Sequence, residues 1–210
     1  MIRKFTLVFA FILVSVSFAT AEVNPDKGPN KLYVHIGIAS PVTPNEFKSG
    51  WTTGANVGIT YSKNLPARLC LLASVDYNNF DFDSHGYADL VGSSGDLLDV
   101  EGNAAFSLGG TVGLKWRLAS GKSSSAIPYL RLGLGANYFS RDRVILAYNK
   151  ENVVKAGFSG LYPAVTLAFG SDLYLEGENL FAEPGVQIQM TPNQRTNFWY
   201  IKVGIGLHLF

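Results

Sequence analysis

From Lys31 onward, apolar residues recur at every second position, the period of a strand whose two faces meet different surroundings. Eight stretches show it. The first carries Leu32, Val34, Ile36 and Ile38, the second Ala55, Val57, Ile59 and Tyr61, and the third Leu69, Leu71, Ala73, Val75 and Tyr77. The fourth has Phe106, Leu108, Val112, Leu114 and Trp116; the fifth has Leu130, Leu132, Leu134, Ala136 and Tyr138. The sixth shows Leu161, Val165, Leu167 and Phe169. In the seventh, Leu173, Leu175 and Phe181 keep phase with Gly177 and Asn179 between them. The eighth runs Trp199, Ile201, Val203, Ile205, Leu207 and Leu209.

The connectors alternate in length. Short ones lie at Lys63 to Pro66, Ala119 to Ile127 and Ser171-Asp172; long ones lie at Pro41 to Trp51, Asn79 to Asn103, Ser140 to Gly157 and Ala182 to Asn197. An up-and-down antiparallel barrel with short turns on one rim and long loops on the other has this order, as transmembrane barrels do. The in-phase aromatics add a second regularity. Tyr61, Trp116 and Phe169 fall at one end of their strands, while Tyr77, Tyr138, Phe181 and Trp199 fall at the other, as two girdles around an aliphatic band.

The opposite face separates a membrane barrel from a soluble, lipocalin-like binding barrel, which would be apolar inside and charged outside. It reads Gly54, Asn56, Gly58, Thr60 in the second strand and Arg131, Gly133, Gly135, Asn137 in the fifth. Such small, sparsely charged residues suit the filled interior of a narrow eight-stranded barrel. Closure also pairs every backbone polar group internally, as a bilayer requires. The fold class expected is all-β, an eight-stranded antiparallel up-and-down transmembrane β-barrel.

Arg3 and Lys4, an apolar run from Phe5 to Phe18 and the small residues Ala19-Thr20-Ala21 form a secretory signal peptide over 1–21. The run is too short for the ~30 Å hydrocarbon core. A periplasmic N-terminal linker is expected over 22–30 and the barrel over 31–210. The formal charge of +1 excludes the basic footprint of a nucleic-acid binder, and a single cysteine among 210 residues excludes an internal disulfide framework.

The inward phase carries Arg68, Asp76, Lys115, Arg131, Glu176, Glu178 and Lys202. Charges enclosed in a lumen need partners, so these are expected to form a network that fills it or gates a narrow passage. Glu176 and Glu178, two apart, should both point inward, with Lys202 beside them and Arg131 or Lys115 across the lumen. Between Arg68 and Lys115 every charged residue is acidic: Asp76, Asp81, Asp83, Asp89, Asp96, Asp99 and Glu101. Asp81 and Asp83 lack the spacing of a calcium loop, so no metal and no cofactor are expected. The third long loop sets Arg141, Arg143, Lys150 and Lys155 against Asp142 and Glu151, a cluster able to meet lipopolysaccharide phosphates. Asp83-Ser84-His85 offers triad residue types, but neighbours on an extended loop point apart, and no catalysis is expected.

The Gly-containing strands (Gly54 to Tyr61, Pro128 to Tyr138) and a terminal strand ending in Phe210 resemble the small eight-stranded outer-membrane barrels of Gram-negative bacteria, of the OmpX and OmpA-transmembrane-domain type. The resemblance implies a protein of the bacterial outer membrane in contact with its lipid and lipopolysaccharide. It also implies handling by the outer-membrane assembly machinery through the C-terminal strand. A structural, surface-interaction or porin-like narrow-passage role would follow, with an external ligand possible at the long loops; the alternative is a lipid-modifying barrel enzyme. Phe210 is out of phase with Trp199 through Leu209, and Pro163 inside the sixth stretch implies a bulge or a late strand start.

Overall fold

Where each strand ends is decided by its hydrogen-bonded partners. The computed structural model describes residues 30–92, 97–118, 126–149, 151–175, 178–191 and 194–209. The expected signal peptide, residues 22–29 of the expected linker and Phe210 lie outside them. Eight long strands form the barrel: β1 (Lys31–Thr43), β2 (Gly54–Asn64), β3 (Leu69–Phe80), β5 (Ala105–Arg117), β6 (Ala126–Arg141), β9 (Phe158–Leu175), β10 (Glu178–Thr191) and β11 (Gln194–His208). Each pairs antiparallel with its neighbours in the order β1-β11-β10-β9-β6-β5-β3-β2, and the ring closes where β1 meets β2. The fold is therefore the expected eight-stranded antiparallel up-and-down barrel.

The alternating apolar set faces outward. Ile36 is 64% exposed and Leu134 61%, values far too high for a protein core and ordinary for a surface against acyl chains. Trp116, Leu130 and Phe169 line up across β5, β6 and β9 at the turn end, with Tyr61 half-buried on β2. At the loop end Tyr77 stacks on Phe106 (6.1 Å between ring centroids) and Tyr138 lies tilted against Phe106 (6.0 Å), while Trp199 is half-buried on β11. From Leu130 to Tyr138 the strand runs about 26 Å at 3.3 Å per residue. Tilted as barrel strands are, that is about 20 Å along the axis, close to the height of an outer-membrane apolar band.

Three sequence expectations need correction. The turn between the sixth and seventh strands is not at Ser171-Asp172: β9 continues to Leu175, and β10 starts at Glu178. Asp172 stays in the strand because a lumen lysine holds it. Across this turn odd positions of β9 lie opposite even positions of β10, as in Leu173↔Leu180, and Asp172↔Phe181 therefore share the inner face: Phe181 points inward, only 6% exposed, edge-on to Tyr33 at 5.3 Å. It belongs to no girdle. The stretch from Ala182 to Asn197 is not a loop; it continues the β10–β11 hairpin up to Thr191↔Gln194. Finally, Pro163 causes neither a bulge nor a late start. β9 pairs with β6 down to Phe158, and the β10 ladder ends at Gln189↔Ala164, so Pro163 stands where that ladder stops.

The other three long connections fold. The first contains helix α1 (Asn45–Gly50), and the second contains α2 (Ser84–Val91) and β4 (Leu97–Glu101). The third makes β7 (Val144–Tyr148) and β8 (Asn152–Lys155), and β4-β7-β8 form a separate small sheet. At the turn end, Ala67 and Arg68 both take positive φ (59° and 65°), where side chains are crowded. Arg68→Gly is expected to stabilise the barrel by up to about 1 kcal/mol, read as a higher urea midpoint.

Candidate functional site

The inward phase of the strands places the charges on the lumen wall, and long side chains reach across it. Glu183 of β10 is the hub. It accepts from Arg131 Nη1 at 3.0 Å, Tyr129 at 2.9 Å and Tyr200 at 3.2 Å, and Lys202 Nζ lies 3.3 Å away. Arg131 turns its other amine to Ser74 (2.8 Å) and Thr111 (3.3 Å), tying β6 to β3 and β5. Lys202 also reaches Asp76 at 3.3 Å, and Asp76 meets His35 Nε2 at 2.8 Å. Two carboxylates thus face Arg131, Lys202 and His35 in one connected group.

Nearer the turn end, Asp172 pairs with Lys115 at 2.5 Å and with Arg117 Nε at 3.3 Å. Lys115 also sits over the Tyr129 ring at 4.0 Å, and Lys31 donates to Asn179 at 2.7 Å. Nearer the loop end the charges give way to amides and hydroxyls: Asn56 donates to Asn78 at 2.7 Å and Gln189 to Ser107 at 3.2 Å. A cavity of about 20 Å³ between Tyr33, Lys115, Tyr129, Arg131 and Glu183 is room for about one water. It would not admit a solute.

Above these layers the mouth is closed by aromatic rings. Phe80, Phe139 and Phe198 from the strand ends meet Phe47 of α1, Trp51 and Tyr87 of α2 in one buried cluster. Phe47 lies edge-on to Phe80 (5.1 Å) and Phe139 (5.4 Å). A polar clamp binds the connections to one another: Glu46 of α1 accepts from the Tyr87 hydroxyl at 2.6 Å and pairs with Arg141 at 3.3 Å. Arg141 in turn sits over Trp51 (5.1 Å) and Phe158 (5.0 Å). Burial, then the Glu46 carboxylate, hold the Tyr87 hydroxyl well above the ordinary phenol range, so it stays a donor.

Of the residues singled out in the sequence, Asp76, Arg131 and Lys202 lie in the Glu183 group and Lys115 in the pair with Asp172. Arg68 does not join them: it is exposed in the β2–β3 turn, because its left-handed backbone takes it out of the strand phase. Glu176 lies outside the described residues, and Glu178 opens β10. Asp172 and Glu183 take the carboxylate roles instead. Both escape a sequence reading because Ser171-Asp172 and Pro184-Gly185 look like turns. Arg117 was legible as the next inward position after Lys115.

Outside the lumen, Asp83 caps α2 by accepting from the Gly86 amide at 3.0 Å, while His85 is exposed, so Asp83-Ser84-His85 forms a helix start. Asp81, Asp89, Asp99 and Glu101 are exposed, and Asp96 lies outside the described residues. Arg141 is drawn into the clamp. Arg143 and Lys155 remain exposed, and Lys150 lies outside the described residues.

No protein-family model matches the chain, and neither does any curated protein. Among solved structures, the chain is similar to surface protein A of Neisseria, with a TM-score of 0.52 and 13% identity over 86% of this chain and 97% of that one. It is also similar to a major outer membrane protein from Thermus thermophilus, with a TM-score of 0.52 and 12% identity over 85% of this chain and 99% of that one. At these identities the likeness concerns the fold, which is that of the small outer-membrane barrels.

Proposed function

We propose that this chain is an integral protein of the bacterial outer membrane that works through its capped outer face rather than as a conduit. The observation that carries this reading is the filled lumen: charged pairs span it, and an aromatic cluster from the strand ends and connections closes the mouth. The exposed aliphatic band and its aromatic borders fit a bilayer, with lipid and lipopolysaccharide as immediate neighbours. Export follows from the signal peptide, and insertion from the assembly machinery acting on the C-terminal strand. The role is structural or surface-interacting and non-catalytic, with the folded connections offered to an external ligand.

Planar-bilayer recording tests it. The refolded chain, showing heat-modifiable migration on a gel, is expected to produce no stepwise currents at neutral pH. Discrete conductance steps from the folded form would overturn the proposal in favour of passage. Altered lipid A on overexpression would overturn the non-catalytic part.

A further inference from the structure

We propose that the outer sheet is a self-association surface, through which two copies of this chain pair β8 to β8 in the membrane. Among the described residues β8 is bonded to β7 alone, and all four of its residues are exposed, Val154 at 54%. A bare edge with β-branched residues is a template for another strand.

The sequence of that edge says which strand. In an antiparallel pair, opposed residues face the same side, so Val153 shares the side of Leu146 and Val154 that of Ile145. A two-fold axis normal to the sheet preserves the sides, and it therefore permits only registers that oppose odd to odd and even to even. The register centred on Val153 opposes Val153 to itself, Asn152 to Val154, and Glu151 to Lys155 at both ends. Glu151 and Lys155 are exposed and in no ion pair among the described residues. The edge is thus complementary in charge to a second copy of itself. The register centred on Val154 sets Lys155 against Val153 and wins no ion pair.

The geometry suits one membrane. Val100, Val144 and Leu146 turn one side of the sheet onto the cluster that closes the mouth, and the proposal sets the two-fold axis along the membrane normal, so that both copies present their mouths on the same side. Five residues bury far less than the roughly 1,600 Å² of a standard interface. Pairing is therefore weak in dilute detergent and strengthened by confinement in a bilayer, which raises the effective concentration.

The proposal rests on the membrane reading above, and the test separates the two. Single-cysteine chains built on Cys70→Ser are reconstituted into phospholipid vesicles, checked for heat-modifiable migration, and oxidised. Val153→Cys is expected to give covalent dimers, because residue 153 meets its own copy within disulfide reach. Val154→Cys and Met190→Cys should remain mostly monomeric. Adding Glu151→Lys or Lys155→Glu to Val153→Cys should cut dimer several-fold, and the double reversal should restore it. Equal cross-linking at 153 and 154, or no restoration by the double reversal, overturns the pairing. Failure of every variant to reach the heat-modifiable form counts against the membrane barrel instead.

Discussion

Glu183→Ala is expected to cost the barrel about 3–5 kcal/mol, the usual consequence of removing one member of a buried charge group. The carboxylate is 3% exposed and shared by Arg131, Lys202, Tyr129 and Tyr200. Without it, Asp76 alone answers both buried cations, and two phenols lose their acceptor. Glu183→Gln keeps the shape and part of the hydrogen bonding and should lose somewhat less. The pair Arg131→Met with Glu183→Leu should cost clearly less than the two single changes summed, because the cation leaves with its partner and Lys202 keeps Asp76. Urea unfolding of the chain refolded in micelles, followed by tryptophan fluorescence and gel migration, gives these values. A Glu183→Ala barrel with an unchanged urea midpoint would show that the lumen network does not hold the fold.

The same residue shows what a sequence reveals and what it hides. The lipid-facing set was legible because every second residue is apolar and nothing else in the chain keeps that period. Asp76, Lys115, Arg131 and Lys202 were legible by the same rule, being charges in the opposite phase. Glu183 was not. It precedes Pro184-Gly185, which reads as a turn, yet β10 runs through the pair: its ladder to β9 lapses between Ala182↔Ser171 and Gly185↔Ala168, then resumes in register, while the β11 side continues through Pro184↔Ile201. The strand survives a proline because its other neighbour still holds it. Arg68 failed in the other direction: a positive-φ turn has no period-2 signature. The cap was hidden for a further reason. Its contacts join Phe47, Phe139 and Phe198, which are distant in sequence and share no repeat.

Phe47→Ala is expected to loosen that cap while leaving the membrane barrel whole. The ring is 2% exposed and packs on Trp51, Phe80 and Phe139, and truncating a buried phenylalanine costs about 3–5 kcal/mol. The cap is small. α1 has six residues, too few to hold a helix without tertiary packing, so this loss exceeds what the first connection can absorb. Phe80 and Phe139 are anchored in β3 and β6 by the ladder and do not depend on Phe47 for their place. The result should be local opening rather than global unfolding. Protease added to intact vesicles should cut between Asn45 and Trp51 in the variant and not in the parent, with the urea midpoint nearly unchanged. Glu46→Gln, which weakens only the clamp to Tyr87 and Arg141, should show the same cut at a slower rate. The lumen pairs lie below the cap and are untouched, so neither variant should conduct. If Phe47→Ala alone admits current, the aromatic rings are the seal and the charges beneath them are not. If instead the barrel unfolds at a much lower urea concentration, the cap is part of the core and does not behave as a separate unit.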